Sequence, residues 1–145
     1  MLKQKLSMTC FRNEFQFQSA VIKQLTNFWA YVRNIADIGN VRKPFDISMN
    51  YMGKWWALEL KHVTYKSWVT PERVMAKLYP HQIANLLQFC TGKSQGISLI
   101  ITYNASDNTV RVHWVQQVNW QVSLIEINHF EWDNECMGNI LYLFF

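Results

Sequence analysis

The chain contains no run of about 18 consecutive apolar residues, so no helical membrane span is expected. Its start, Met1-Leu2-Lys3-Gln4-Lys5-Leu6, lacks the apolar stretch of a secretory signal, which points to a cytoplasmic protein. Cysteine is scarce: Cys10, Cys90 and Cys136 are odd in number and widely spaced. They fit reduced intracellular thiols better than a disulfide framework or a zinc site. Repeats and low-complexity segments are lacking too. Positive charge is scarce beyond residue 93, where Arg111 stands alone against five acids. What is present is a globular composition: 145 residues, half of them hydrophobic, with seven Trp. That length fits one domain with a substantial core. The readable core spans about residues 10–116, and 117–145 form an extension whose packing, on the sheet or on a second subunit, stays open.

The most informative segment is a hairpin. Pro44 to Tyr51 alternates apolar and polar residues, and Lys54 to Lys61 does so less cleanly. Met52-Gly53 lies between them, and glycine supplies the positive φ of a tight turn. If those two residues are the loop, Tyr51 pairs with Lys54 and Asp46 falls opposite Glu59. Residues two apart share a face, so Lys61 joins the two acids. The other face would carry Phe45, Ile47, Met49, Tyr51, Trp56, Leu58 and Leu60, an apolar set suited to a core. Acids directly opposite each other repel and destabilise a sheet. A divalent cation reverses that sign, because hard cations take carboxylate oxygens. The plainer reading is a solvated hairpin face with an incidental ion network. A slip of one residue would move the pairing.

Around the hairpin, Asn13 reads as a helix N-cap with Gln16 completing a capping box, for a helix running to about Asn27. Phe17, Val21, Leu25 and Phe28 form its apolar stripe. Glu14 sits in the first turn, either as a surface charge favoured by the helix dipole or as a third carboxylate for the site. Trp29 to Ile35 reads as a strand, followed by a turn at 37–40. The connection from Val63 to Tyr79 is polar and basic, with Thr70-Pro71-Glu72 able to start a short helix. Pro80 opens another helix that Gly92 closes, with Ile83, Leu86, Leu87 and Cys90 as its buried stripe. Gln82, in its first turn, is either an N-terminal polar residue or a group facing the sheet. Gly96 to Tyr103 is a buried strand, 104–108 a turn, and Thr109 to Val115 another strand.

Residues 1–93 hold 13 of the 14 Lys and Arg. Positive charge thus concentrates in the part that carries the candidate site. Either these residues keep the surface soluble or they meet a polyanion such as DNA. Arg42, Lys43, Lys54, Lys66, Arg73, Lys77 and His81 are the candidate DNA-binding residues.

The order helix, strand, hairpin, helix, strand resembles the core of the PD-(D/E)XK nuclease superfamily, and within it the RecU-type Holliday junction resolvases. The resemblance runs from about Pro44 to Thr102. It rests on Phe45-Asp46, the Tyr51-Met52-Gly53-Lys54 turn, Glu59-Leu60-Lys61, Pro80-His81-Gln82-Ile83 and the strand Gly96 to Ile101. Phe45 precedes Asp46 where the family has proline, and only Ala36 to Lys43 stands in place of a stalk-like insertion. The resemblance implies a restriction-endonuclease-like α/β fold, a mixed sheet flanked by helices in α-β-β-β-α-β order, as a single nuclease domain over 1–145. It implies Mg²⁺, with Mn²⁺ substituting, held by Asp46, Glu59 and the carbonyl of Leu60. Lys61 would orient or activate the attacking water, Glu14 would position water at the metal, and Gln82 would pack beside the site. The implied function is a Mg²⁺-dependent DNA endonuclease selective for branched or four-way junctions. It would act as a homodimer, be phage- or prokaryote-encoded, and leave 5′-phosphate and 3′-hydroxyl ends. Alternatives are a repair or restriction-type nuclease acting on flaps, ends or duplex, and a non-catalytic DNA-binding module. His62, after Lys61, reads as a satisfied surface histidine.

Overall fold

The computed structural model describes residues 9–27, 31–34, 46–91 and 95–144. Arg42 and Lys43, and with them Phe28, Phe45 and Gly92, lie outside the described residues. The elements are α1 (Glu14–Thr26), β1 (Tyr31–Asn34), β2 (Ile47–Tyr51), β3 (Lys54–Val63), α2 (Pro71–Ala76), α3 (Pro80–Thr91), β4 (Ile97–Asn104), β5 (Thr109–Val118), β6 (Gln121–Glu131) and α4 (Cys136–Tyr142). Among the described residues six strands form one mixed sheet in the order β1-β2-β3-β4-β5-β6. β3 and β4 run parallel, joined by the crossover through α2 and α3, and every other neighbouring pair is antiparallel. Among the described residues no helix is long and apolar enough to cross a membrane.

Helix starts follow their caps. The Asn13 side chain accepts from the Gln16 N–H at 2.9 Å. The Gln16 side chain reaches back to the Arg12 N–H at 2.8 Å, one residue beyond the usual capping box. Thr70 caps α2 by accepting from the Arg73 N–H, with Pro71 at the first helical position.

The sheet separates two cores. On one face Phe17, Val21 and Leu25 of α1 pack on Ile47, Met49, Trp56, Leu58 and Leu60, the apolar set expected of the hairpin. Tyr51 lies against them, half-buried. On the other face Ala57, Val63, Ile100 and Val115 meet Val74 of α2 and Leu86 of α3.

The described residues beyond 116 pack on the same sheet and core. β5 continues to Val118, turns through Asn119 and Trp120, and returns as β6 along its whole length. Its register steps by one between Val112 and His113. Met137, Ile140 and Leu141 of α4 then join the first core. Buried Gln24 of α1 locks this end in place. It donates to the Asp133 carbonyl at 2.8 Å and accepts from the Met137 N–H at 3.0 Å. Cys136 packs beneath, its thiol pushed up to about 12 by burial.

Candidate metal and catalytic site

The site begins with the β2–β3 turn. Met52 and Gly53 both hold positive φ, 53° and 77°, which is the backbone that joins strands of natural twist. Pairing then runs from Tyr51–Lys54 to Ile47–Leu58, the register read from the sequence. The last step differs. The Asp46 N–H donates to the Leu58 carbonyl at 3.1 Å, so residues 46 and 47 both stand against Leu58. Such a bulge re-aims a side chain. The freed carboxylate of Asp46 takes the N–H of Leu60 at 2.8 Å. The Leu60 carbonyl leaves the strand on that same side, since a residue's N–H and C=O point one way in a ladder.

Glu59 and Lys61 project from the face that carries Ala57 and Val63. Lys61 Nζ lies 3.2 Å from Glu59 Oε2. Gln82 Nε2 donates to the same oxygen at 3.1 Å. The Gln82 amide oxygen in turn accepts from the Tyr79 N–H at 2.9 Å, which fixes its orientation across the start of α3. Glu59 Oε1 is buried with no donor. Asp46 and Glu59 are each 1% exposed.

Glu59 does not ionise freely in such a setting. Burial, and next the Asp46 charge, push Glu59 from 4.5 to about 8, against the pull of Lys61. A side-chain hydrogen bond to Asp46 adds to the rise. These residues fit a hard divalent cation. The donors are carboxylate oxygens, one of them buried without a donor, and a cation there would offset the cost that burial and Asp46 place on a charged Glu59. Among the described residues no group of three or more His, Cys, Asp or Glu gathers. A cation there would have two carboxylates and a carbonyl as donors, and Mg²⁺ commonly keeps several waters.

Comparison with solved structures places the architecture. Hjc, a Holliday junction resolvase from the archaeal hyperthermophile Archaeoglobus fulgidus, is 14% identical and matches 78% of this chain and 88% of its own at TM-score 0.51. The fold is restriction-endonuclease-like. A second solved structure, SSO0001, is 15% identical over 87% of this chain and 55% of its own, at TM-score 0.35. No protein-family model matches the chain, and no curated protein matches it by sequence.

Within this restriction-endonuclease-like core the structure brings Asp46, Glu59, Leu60, Lys61 and Gln82 together. Glu14 is exposed on the first turn of α1, whose buried stripe lies against the opposite face of the sheet. The start of α1 does reach the end of β3, where the His62 ring bonds the Phe11 carbonyl at 2.8 Å. His62 is thus satisfied, as expected.

The basic residues divide. Lys54 shares parity with Trp56 and Leu58, so it belongs to the opposite face from Glu59 and Lys61. It also stands seven residues back along β3, roughly 23 Å away at about 3.3 Å per residue. The structure does not bring it to the site. Lys66 and Lys77 are exposed on the site's face of the sheet, flanking α2. The Arg73 guanidinium lies 4.0 Å over the Tyr65 ring and donates to Ser67 Oγ and the Trp68 carbonyl. His81, beside Gln82, stacks on Tyr79.

Sequence reading missed three groups on this face. Thr102 Oγ1 is buried without a partner between Lys61 and Arg111, its ladder neighbours. His113 is fully buried with neither ring nitrogen bonded, and burial lowers its pKa. Trp68 is exposed beside Arg111. Strand alternation alone would have placed Thr102 and Arg111 level with Lys61 had the order of β3, β4 and β5 been known.

Proposed function

We propose that this chain is a metal-dependent DNA endonuclease of the PD-(D/E)XK type, selective for branched DNA and related in role to the Holliday junction resolvases. One observation carries the reading: two buried carboxylates converge beside an ammonium group, and one carboxylate oxygen is left without a donor. A fold with no cation to place there would gain by neutralising one acid.

Asp46, Glu59 and the Leu60 carbonyl would hold Mg²⁺ or Mn²⁺. When bound, the ion supplies Lewis-acid polarisation of a phosphate oxygen and a more acidic water. The protein's own part is positioning. Leu60 N–H and Gln82 fix the two carboxylates, so little reorganisation is needed when charge develops. Lys61, held at Glu59 and 12% exposed, reaches the open side of the site. There its ammonium meets the negative charge growing on the phosphate and orients the attacking water. Glu14, at the exposed end of α1, would act on a water from the rim. Attack on phosphorus with loss of the 3′-oxygen leaves 5′-phosphate and 3′-hydroxyl ends. A four-way junction offers two equivalent strands, so a two-fold dimer is the natural assembly for cutting both.

The test is direct. The protein with Mg²⁺ is incubated with a four-way junction, a flap and a matched duplex, side by side with Asp46→Ala. Cleavage of the branched substrates that Asp46→Ala abolishes supports the reading. Equal cleavage of the plain duplex removes the selectivity. Activity that survives Asp46→Ala ends the proposal.

A further inference from the structure

A second feature lies on the same face as the candidate site, two strands away. Lys61 pairs with Thr102, and Thr102 pairs with Arg111. At about 4.8 Å per strand, Arg111 is roughly 10 Å from Lys61 across the sheet. Between Arg111 and the loop after β3 opens a cleft of about 200 Å³, lined by Lys66, Ser67, Trp68, Asn104, Asp107 and Arg111. Trp68 forms its wall and is 72% exposed.

That exposure is not slackness of the loop. Asn104 clamps it at Tyr65, accepting from the Tyr65 N–H and donating to the Tyr65 carbonyl. Arg73 holds Ser67 and the Trp68 carbonyl. Val69 is buried in the core directly after. A large apolar ring is thus projected into water by a backbone fixed on both sides. The Arg111 guanidinium lies 4.9 Å from the centre of the ring, and its ion pair with Glu126 at 2.7 Å holds it there. One face of the indole is therefore occupied and the other is open. Lys66 adds positive charge at the mouth. The acid of the cleft, Asp107, turns one oxygen back to Thr109 in its own turn.

An open indole face backed by a guanidinium and rimmed by lysine is the chemistry of a stacking platform for an unpaired nucleobase on a phosphate chain. We propose that Trp68, with Arg111 and Lys66, binds an unpaired base of the DNA substrate about three base steps from the scissile phosphate, at about 3.4 Å per step. This rests on the nuclease reading above and gives it a structural origin: paired DNA keeps its bases stacked inside, while branch points and bulges offer one free.

The experiment compares binding to a duplex carrying a three-nucleotide bulge with binding to a matched duplex of equal length, in Ca²⁺, for the wild type, Trp68→Ala and Trp68→Phe. The wild type should favour the bulged duplex. Trp68→Ala should lower the ratio of the two affinities about tenfold, and Trp68→Phe should keep most of it. A ratio unchanged by Trp68→Ala, or lost equally in Trp68→Phe, overturns the platform while leaving the nuclease reading in place. A wild-type protein that binds neither duplex and cuts nothing in Mg²⁺ overturns both.

Discussion

Glu59→Gln offers the sharpest test of the site, because it can be read without substrate. In the metal-free protein, burial and Asp46 raise Glu59 from 4.5 to about 8. Between those values the folded chain holds a proton that the unfolded chain has released. Stability then falls as pH rises, by about 1.4 kcal/mol per pH unit. From pH 4.5 to 7 the loss is on the order of 3 kcal/mol, and it levels off above about 8. Glutamine keeps the shape, accepts from Lys61 and Gln82, and donates to Asp46 as the protonated acid does. Urea unfolding in EDTA at pH 5, 7 and 8.5 should show Glu59→Gln close to wild type at pH 5. At pH 7 and 8.5 it should be increasingly more stable than wild type, with the unfolding slope unchanged. Saturating Mg²⁺ should stabilise wild type and leave Glu59→Gln unmoved. Equal stability of the two proteins at every pH would refute the account of the buried pair.

Asp46→Ala and Glu59→Ala should each abolish Mg²⁺-dependent cleavage while circular dichroism shows the fold retained; residual cleavage near wild-type rate would contradict the assigned roles. His113 titrates in the opposite sense: burial lowers its pKa from 6.5, so its contribution is present above that value and is lost as pH falls below it. His113→Leu should therefore gain more relative to wild type at pH 5 than at pH 8 in the same urea assay, and a gain independent of pH would count against it. Gly96→Ala drives a Cβ into the Phe89 ring, and thermal unfolding should report a loss of about 1–3 kcal/mol. Trp120 sits at φ 64° in the β5–β6 turn, a conformation costing a non-glycine residue roughly 1–2 kcal/mol, so Trp120→Gly should raise the melting temperature.

The hairpin was legible because its signals are local. A glycine in the turn and alternating strands suffice to set the register, and Ile47 to Leu60 fall on the faces they predict. The bulge at Asp46 was not legible, because the sequence shows no hydrogen bonds and a kink of one residue leaves the alternation of β2 intact. Gln82 could be placed from helical spacing alone, since it lies one turn before buried Leu86. Charge alone did not place Lys54: parity sets it on the other face of the sheet from Glu59 and Lys61. β6 was hidden because it is an edge strand. Among its residues only Leu124 is buried, so Gln121 to Glu131 shows little alternation, and its turn, Asn119-Trp120, lacks glycine. The seven residues of α4 carry no side-chain cap, so nothing local announces that helix. Trp68 and Arg111 come from a loop and a strand far apart in the chain, and only the β3-β4-β5 order makes them neighbours.

The two faces of the sheet explain how a costly site can persist. A buried acid pair destabilises the metal-free fold, and that cost must be met elsewhere. The opposite face meets it. There Phe17, Trp56, Leu58, Leu60 and Tyr103 pack with α1 and α4 into a continuous apolar core. The same strands that bury Leu58 and Leu60 on that face present Glu59 and Lys61 on the other, because strand residues alternate. β3 therefore couples the two. Packing Leu58 and Leu60 fixes the height and direction of Glu59 and Lys61, and the Leu60 N–H, emerging at the strand edge, fixes Asp46. Displacing Leu60 would disturb the core, the Asp46 hydrogen bond and the carbonyl offered to a cation together. On this view Leu60→Ala would weaken metal binding as well as stability, although its side chain never enters the site.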